Sequence, residues 1–231
     1  MKTLLTLVSL FAILLLFGQA DVVEKRLEEY GVRTDFLEHS LRNTKESYVY
    51  KYKMTYGAMD GTPVVNISEY DPRRKLKNRW QLITVNGKLP SKKELRKWNK
   101  FNNERGEELH AEIDKSTYEV VVDNPTYFSF SFKYKPETVS KNRQFLADCI
   151  GYAYYNKQEK KITGVRYENF RETKVRLYNC HELVISHELD YDQKADVHLI
   201  TSEDFDFKVM VVGQEIELEQ LGEYFDYEKI K

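Results

Sequence analysis

Four stretches of different hydrophobic rhythm follow one another along the chain. Behind Lys2 an apolar run reaches Phe17 and ends at the small residues Gly18 and Ala20. From Val22 to Leu41 apolar side chains recur among charges at Val23, Leu27, Tyr30, Phe36, Leu37 and Leu41. This is the spacing of one or two short amphipathic helices, with Gly31 as the break. From Ser47 the period falls to two: Tyr48, Tyr50, Tyr52, Met54 and Tyr56 alternate with Val49, Lys51, Lys53 and Thr55, which predicts a strand with one aromatic face. Beyond residue 115 the chain reads as strand after strand, over 117–122, 127–134, 145–155, 162–170, 175–189, 197–201, 205–211 and 215–218, each rich in β-branched or aromatic residues.

Turn chemistry joins these strands. Asp60-Gly61 with Pro63 predicts a hairpin between the tyrosine strand and Val64 to Tyr70; Arg79 to Val85 is a further strand, followed by the tight-turn pair Asn86-Gly87. Ser91, three residues before Glu94, reads as a capping box opening a helix with Leu95, Trp98 and Phe101 as its apolar stripe. The stretch from Asn102 to Leu109 reads as an exposed polar loop. Some ten or eleven short-turned strands with few helices to serve as crossovers form an antiparallel sheet too wide to lie flat. The predicted fold is therefore mainly β, a single half-barrel over residues 21–231 with a few short helices packed on its concave face.

The first twenty residues add the compartment. A charged start, a short apolar core and an A-x-A-like end are the pattern of a secretory signal cut after Ala20, and no cysteine follows where a lipid anchor would be attached. An exported, unanchored, monomeric protein is expected. Removing residues 1–20 takes away Lys2 and no acid, leaving 35 basic and 37 acidic side chains, a balance that argues against nucleic-acid binding. Two cysteines, Cys149 and Cys180, either close a disulfide in an oxidising compartment or remain two buried thiols on neighbouring strands.

Candidate chemistry is sparse. His181 and His187 are six apart, about 20 Å end to end on a strand, too far to share an ion. His187 and His198 would face each other across a hairpin near Asp190-Tyr191-Asp192, but histidines among acids are ordinary on exposed strands. No nucleophile elbow, zincin helix or phosphate loop is present. Neither enzyme activity nor a cofactor or metal is expected. Asn66-Ile67-Ser68 matches a glycosylation acceptor, a pattern frequent by chance.

The aromatic stripes carry more. Tyr50 and Tyr52, Trp80, Phe128, Phe130 and Phe132, and Tyr152 and Tyr154 sit at period two within their strands. Taken one by one they read as plain core. Taken together on a curled sheet they line a cavity for a fatty or acylated ligand.

The order of these elements, an exported chain with a first amphipathic helix and then a large meander ending in a strand and turn at Phe207 to Glu215, resembles the periplasmic lipoprotein-carrier and lipoprotein-receptor half-barrels of outer-membrane lipoprotein localisation. The block from Tyr70 to Lys100, YDPRRKLKNRWQLITVNGKLPSKKELRKWNK, is similar to a segment of uncharacterised exported proteins of Gram-negative bacteria. The resemblance implies a periplasmic, non-catalytic carrier of a lipid or of lipoprotein acyl chains. The alternatives are an envelope interaction protein with a fully packed core, its contact surface the charged loop from Lys92 to Glu108, and a secreted hydrolase using the acids and histidines between His181 and His198.

Overall fold

The computed structural model describes residues 18–57, 62–103, 111–175, 178–211 and 213–230. Helix α1 covers residues 18–29. Helix α2 (Phe36–Ser47) leads into strands β1 (Tyr48–Gly57), β2 (Pro63–Tyr70) and β3 (Trp80–Val85), then helix α3 (Lys92–Asn103). Strands β4 (Ile113–Asp123), β5 (Tyr127–Tyr134), β6 (Cys149–Asn156), β7 (Lys161–Asn169), β8 (Thr173–Val175), β9 (Tyr178–Asp192), β10 (Val197–Val211) and β11 (Gln214–Lys229) complete the chain. All pairings are antiparallel, in the order β3-β2-β1-β11-β10-β9-β7-β6-β5-β4 with β8 on β9, giving one curled, unclosed sheet.

Local chemistry explains the element ends. Gly31, at φ +67°, stops α1 while the Val32 N–H turns back to Leu27 C=O at 2.8 Å. Asn86 and Gly87 both take positive φ, as a type I′ turn requires. The capping box forms: Ser91 N–H donates to Glu94 Oε2 at 2.7 Å and Glu94 N–H to Ser91 Oγ at 3.3 Å. The Asp60-Gly61 turn and residues 104–109 of the polar loop lie outside the described residues.

Four strand assignments differ from the periodicity. Lys141–Asp148 is a 3-10 segment, so the strand expected from Phe145 begins at Cys149. The expected strand 175–189 is two strands folded against each other, Val175 pairing Tyr178 and Thr173 pairing Cys180; unbroken alternation carries no mark of such a reversal. The expected pieces 197–201 and 205–211 are one strand, and 215–218 is the start of a sixteen-residue strand. Glu and Gln at alternate positions hide β11, which inserts between β1 and β10 and ties the two ends of the chain together.

One unbroken row of partners crosses the sheet: Val85, Asn66, Met54, Gly222, Glu203, His187, Val165, Ala153, Phe130 and Val120. It lies on the concave face, where Val23 and Leu27 of α1 and Phe36 and Leu37 of α2 join Phe128, Phe130, Phe132 and Val165 in the main core. Full burial of each such side chain contributes about 1.5–3 kcal/mol. Helix α3 covers the other end, with Trp98 against Tyr52, Met54 and Leu82.

The N-terminal side of α1 bears on export. Residues 1–17 lie outside the description; Gly18, Gln19 and Ala20 belong to α1, and Gln19 Oε1 accepts the Val120 N–H of β4 at 3.0 Å. The expected cut after Ala20 thus falls within α1. Among the described residues no helix is long and apolar enough to cross a membrane.

Candidate functional site

The sheet divides the eight expected cavity residues. Phe128, Phe130 and Phe132 are 0% exposed, tiled by one another, by Tyr118 and by α1. Gly151 shows how tightly: a Cβ there would lie 2.4 Å from the Phe132 ring. Tyr50, Tyr52 and Trp80 form a second nest with Tyr70, Tyr224 and Tyr227, ring centroids 4.6 to 6.0 Å apart. Tyr152 and Tyr154 are placed elsewhere. They pair with Ser131 and Ser129, whereas Phe130 pairs with Ala153, so these two tyrosines stand on the outer face. The reason is parity: in β6 the core takes Cys149, Gly151, Ala153 and Tyr155.

In this structure both cysteines are buried free thiols. Each Sγ faces a backbone carbonyl, Cys149 that of Phe145 at 3.2 Å and Cys180 that of Glu182 at 3.0 Å. Burial pushes the Cys149 thiol up to about 12.

Sequence reading missed a polar cluster at the centre of the sheet. Glu203, 7% exposed, accepts Tyr52 Oη at 2.5 Å and Tyr224 Oη at 3.0 Å, with His187 Nε2 3.7 Å away. Gly222 leaves room for it; a Cβ there would lie 2.6 Å from both Tyr52 Cε2 and Glu203 Cγ. Burial holds His187 below its ordinary value, Glu203 pulling the other way and Arg143 adding to the depression. Gln220 Nε2 also donates to Tyr52 Oη at 3.3 Å, so the cluster specifies how β1, β9, β10 and β11 align. In the sequence Glu203 is one of three acids on β10, beside Asp204 and Asp206, and nothing local marks it as the buried one. His187 and His198 do not face each other: their cross-strand partners are Glu203 and Tyr191.

A polar cavity of about 200 Å3 opens between the α1–α2 connection and the turns after β6 and β9, with Arg33, His39, Lys160, Tyr191, Asp196 and His198 in its wall. Arg33 is already held by Asp35 and Asp196 by the Tyr191 hydroxyl. His198 is held neutral, burial pushing it down to about 4. None of the eight expected cavity residues borders this space.

An exposed apolar strip lies on the concave side at the β10–β11 end. Ile216 and Leu218, 38% and 36% exposed, follow Gly222 and Gln220 at period two and pair with Val209 and Phe207. Phe205, Phe207 and Val211 beside them are only partly buried. Beyond Tyr56↔Gln220 the β1 ladder ends, so over Gln214–Glu219 strand β11 pairs only with β10 among the described residues.

Asn66 is 7% exposed inside β2, which withholds it from glycosylation. Among the described residues no group of three His, Cys, Asp or Glu is placed to hold a metal ion. No protein-family model, no curated protein and no solved structure matches this chain.

Proposed function

We propose that this is a non-catalytic exported protein that works by docking a protein partner on the projecting β10–β11 end of its sheet. The observation that carries the reading is the distribution of apolar surface. The aromatic residues expected to hold a ligand pack on one another or stand on the outer face, whereas Ile216 and Leu218 stay exposed beside Phe205 and Phe207. A drug-sized or fatty ligand needs an apolar hollow of about 300–1,000 Å3; an open strip on a strand pair suits a macromolecular surface. On this reading the contact surface is the β10–β11 end and not the loop expected between Lys92 and Glu108.

The test is capture of a stoichiometric partner by the purified chain under crosslinking. A partner retained by the native chain and lost with Ile216→Lys or Leu218→Lys supports the reading; retention by both variants overturns it. The mature N-terminus, read by mass spectrometry, tests export: a start at Asp21 is the expected result.

The amphiphile-carrier reading keeps one observation in its favour: the sheet is unclosed, and its apolar strip lies on the concave side. Native mass spectrometry followed by lipid extraction separates the two. A bare polypeptide mass is expected; extra mass that dissolves into a lipid or acylated peptide favours the carrier.

A further inference from the structure

We infer that the edge of β11 over Gln214–Glu219, which has no partner among the described residues, receives an extended segment of a partner protein in which lysine or arginine alternates with large apolar residues, extending the sheet in line with β1. This inference rests on the docking reading above and names the chemistry of the partner.

Strand β1 supplies the template. It offers β11 lysines on the outer face and tyrosine or methionine on the concave face: Lys53 Nζ meets Glu223 at 2.7 Å and Lys51 Nζ meets Asp226 at 2.8 Å, while Tyr52 and Met54 are buried opposite Tyr224 and Gly222. The β11 pattern continues where β1 stops. After Glu223 the outer face takes Leu221 and then Glu219, Glu217 and Glu215 at period two, and after Gly222 the concave face takes Gln220 and then Leu218 and Ile216. The three glutamates, Leu218 and Ile216 are all exposed. Every second residue along this edge aims its N–H and C=O away from β10, a row of backbone groups that a further strand would satisfy.

Charge selects the occupant. Beside the three glutamates the outer face carries Asp204, Asp206 and Glu182. Lys208, bonded to Glu182 at 2.8 Å, and His181, whose Nε2 lies 3.1 Å from Glu215, are the basic side chains that meet them. A basic strand is attracted to this surface. A second copy is not: pairing two β11 edges sets glutamate against glutamate, which is destabilising across a strand pair.

The test titrates the full-length chain with a short capped peptide alternating lysine with valine, read by calorimetry. Two further peptides serve as controls, one with glutamate for lysine and one N-methylated on its backbone. Saturable one-to-one binding of the lysine peptide is expected. It should weaken about tenfold with Glu217→Lys or Leu218→Lys, weaken as salt is raised, and be lost with the N-methylated peptide. Circular dichroism of both variants separates a lost edge from a lost fold. Equal binding of the N-methylated or the glutamate peptide overturns strand addition, as does concentration-dependent dimerisation of the chain blocked by Leu218→Lys. If partner capture depends on Ile216 and Leu218 but the lysine peptide does not bind, the docking reading stands and this inference fails. If capture is indifferent to both residues, the docking reading itself fails.

Discussion

At the scale of single residues, two glycines and one histidine make the sharpest statements. Gly151 and Gly222 sit under rings, and a methyl group at either would press on Phe132 or on Tyr52 and Glu203. Gly151→Ala and Gly222→Ala should each lower the urea-unfolding free energy by about 1–3 kcal/mol. An unchanged midpoint for either would mean that the ring above it moves freely. His198 remains neutral in the fold, and an unfolded chain protonates the same ring near 6.5, so between that value and about 4 the unfolded state holds more protons. Stability is full above pH 6.5 and falls toward pH 4, by up to about 3 kcal/mol for this group. His187, also lowered by burial, adds a slope of the same sign. Urea titrations at pH 7 and pH 4.5 should therefore show a smaller difference for His198→Phe than for the native chain. The thiols offer a third check. Cys149 and Cys180 are buried, so a thiol reagent should find none in the folded protein and two after unfolding without reductant.

At the scale of elements, what was legible depended on whether local chemistry agreed with the final pairing. Asn86-Gly87, Gly31 and the Ser91–Glu94 box act within a few residues, and each does what its type implies. Ser91→Ala should cost about 1 kcal/mol and loosen α3, visible as a shift in the emission of Trp98. The aromatic alternation of β1 and β5 was readable because each strand has one side pressed into the core. Strand β11 was not, because its outer face is a row of glutamates and its core contribution includes a glycine that only the rings above it explain. The outward placement of Tyr152 and Tyr154 was illegible for a related reason. Serine opposite tyrosine on the outer face of β5 and β6 looks, residue by residue, like phenylalanine opposite alanine on the inner one, and only register tells them apart. Glu203 escaped notice because a buried acid is identified by its partners, here Tyr52 and Tyr224, 151 and 21 residues away.

For the whole molecule, the half-barrel class was readable from strand number and short connections, while the site was not, since it depends on which apolar faces the helices leave uncovered. The junction between β1 and β11 has one further consequence. Strands β1 to β3 lie to one side of it and β4 to β10 to the other, and β11, which follows all of them in sequence, is the strand that holds them together. A chain ending at Gly213 should fail to unfold cooperatively, because β1 keeps only β2 as a neighbour and the Tyr52–Glu203 bond loses the strand between its two ends. That order along the chain has a consequence for folding. Until the sixteen residues of β11 are in place, β1 to β3 pair among themselves and β4 to β10 among themselves, so adding β11 is the step that makes one sheet of two.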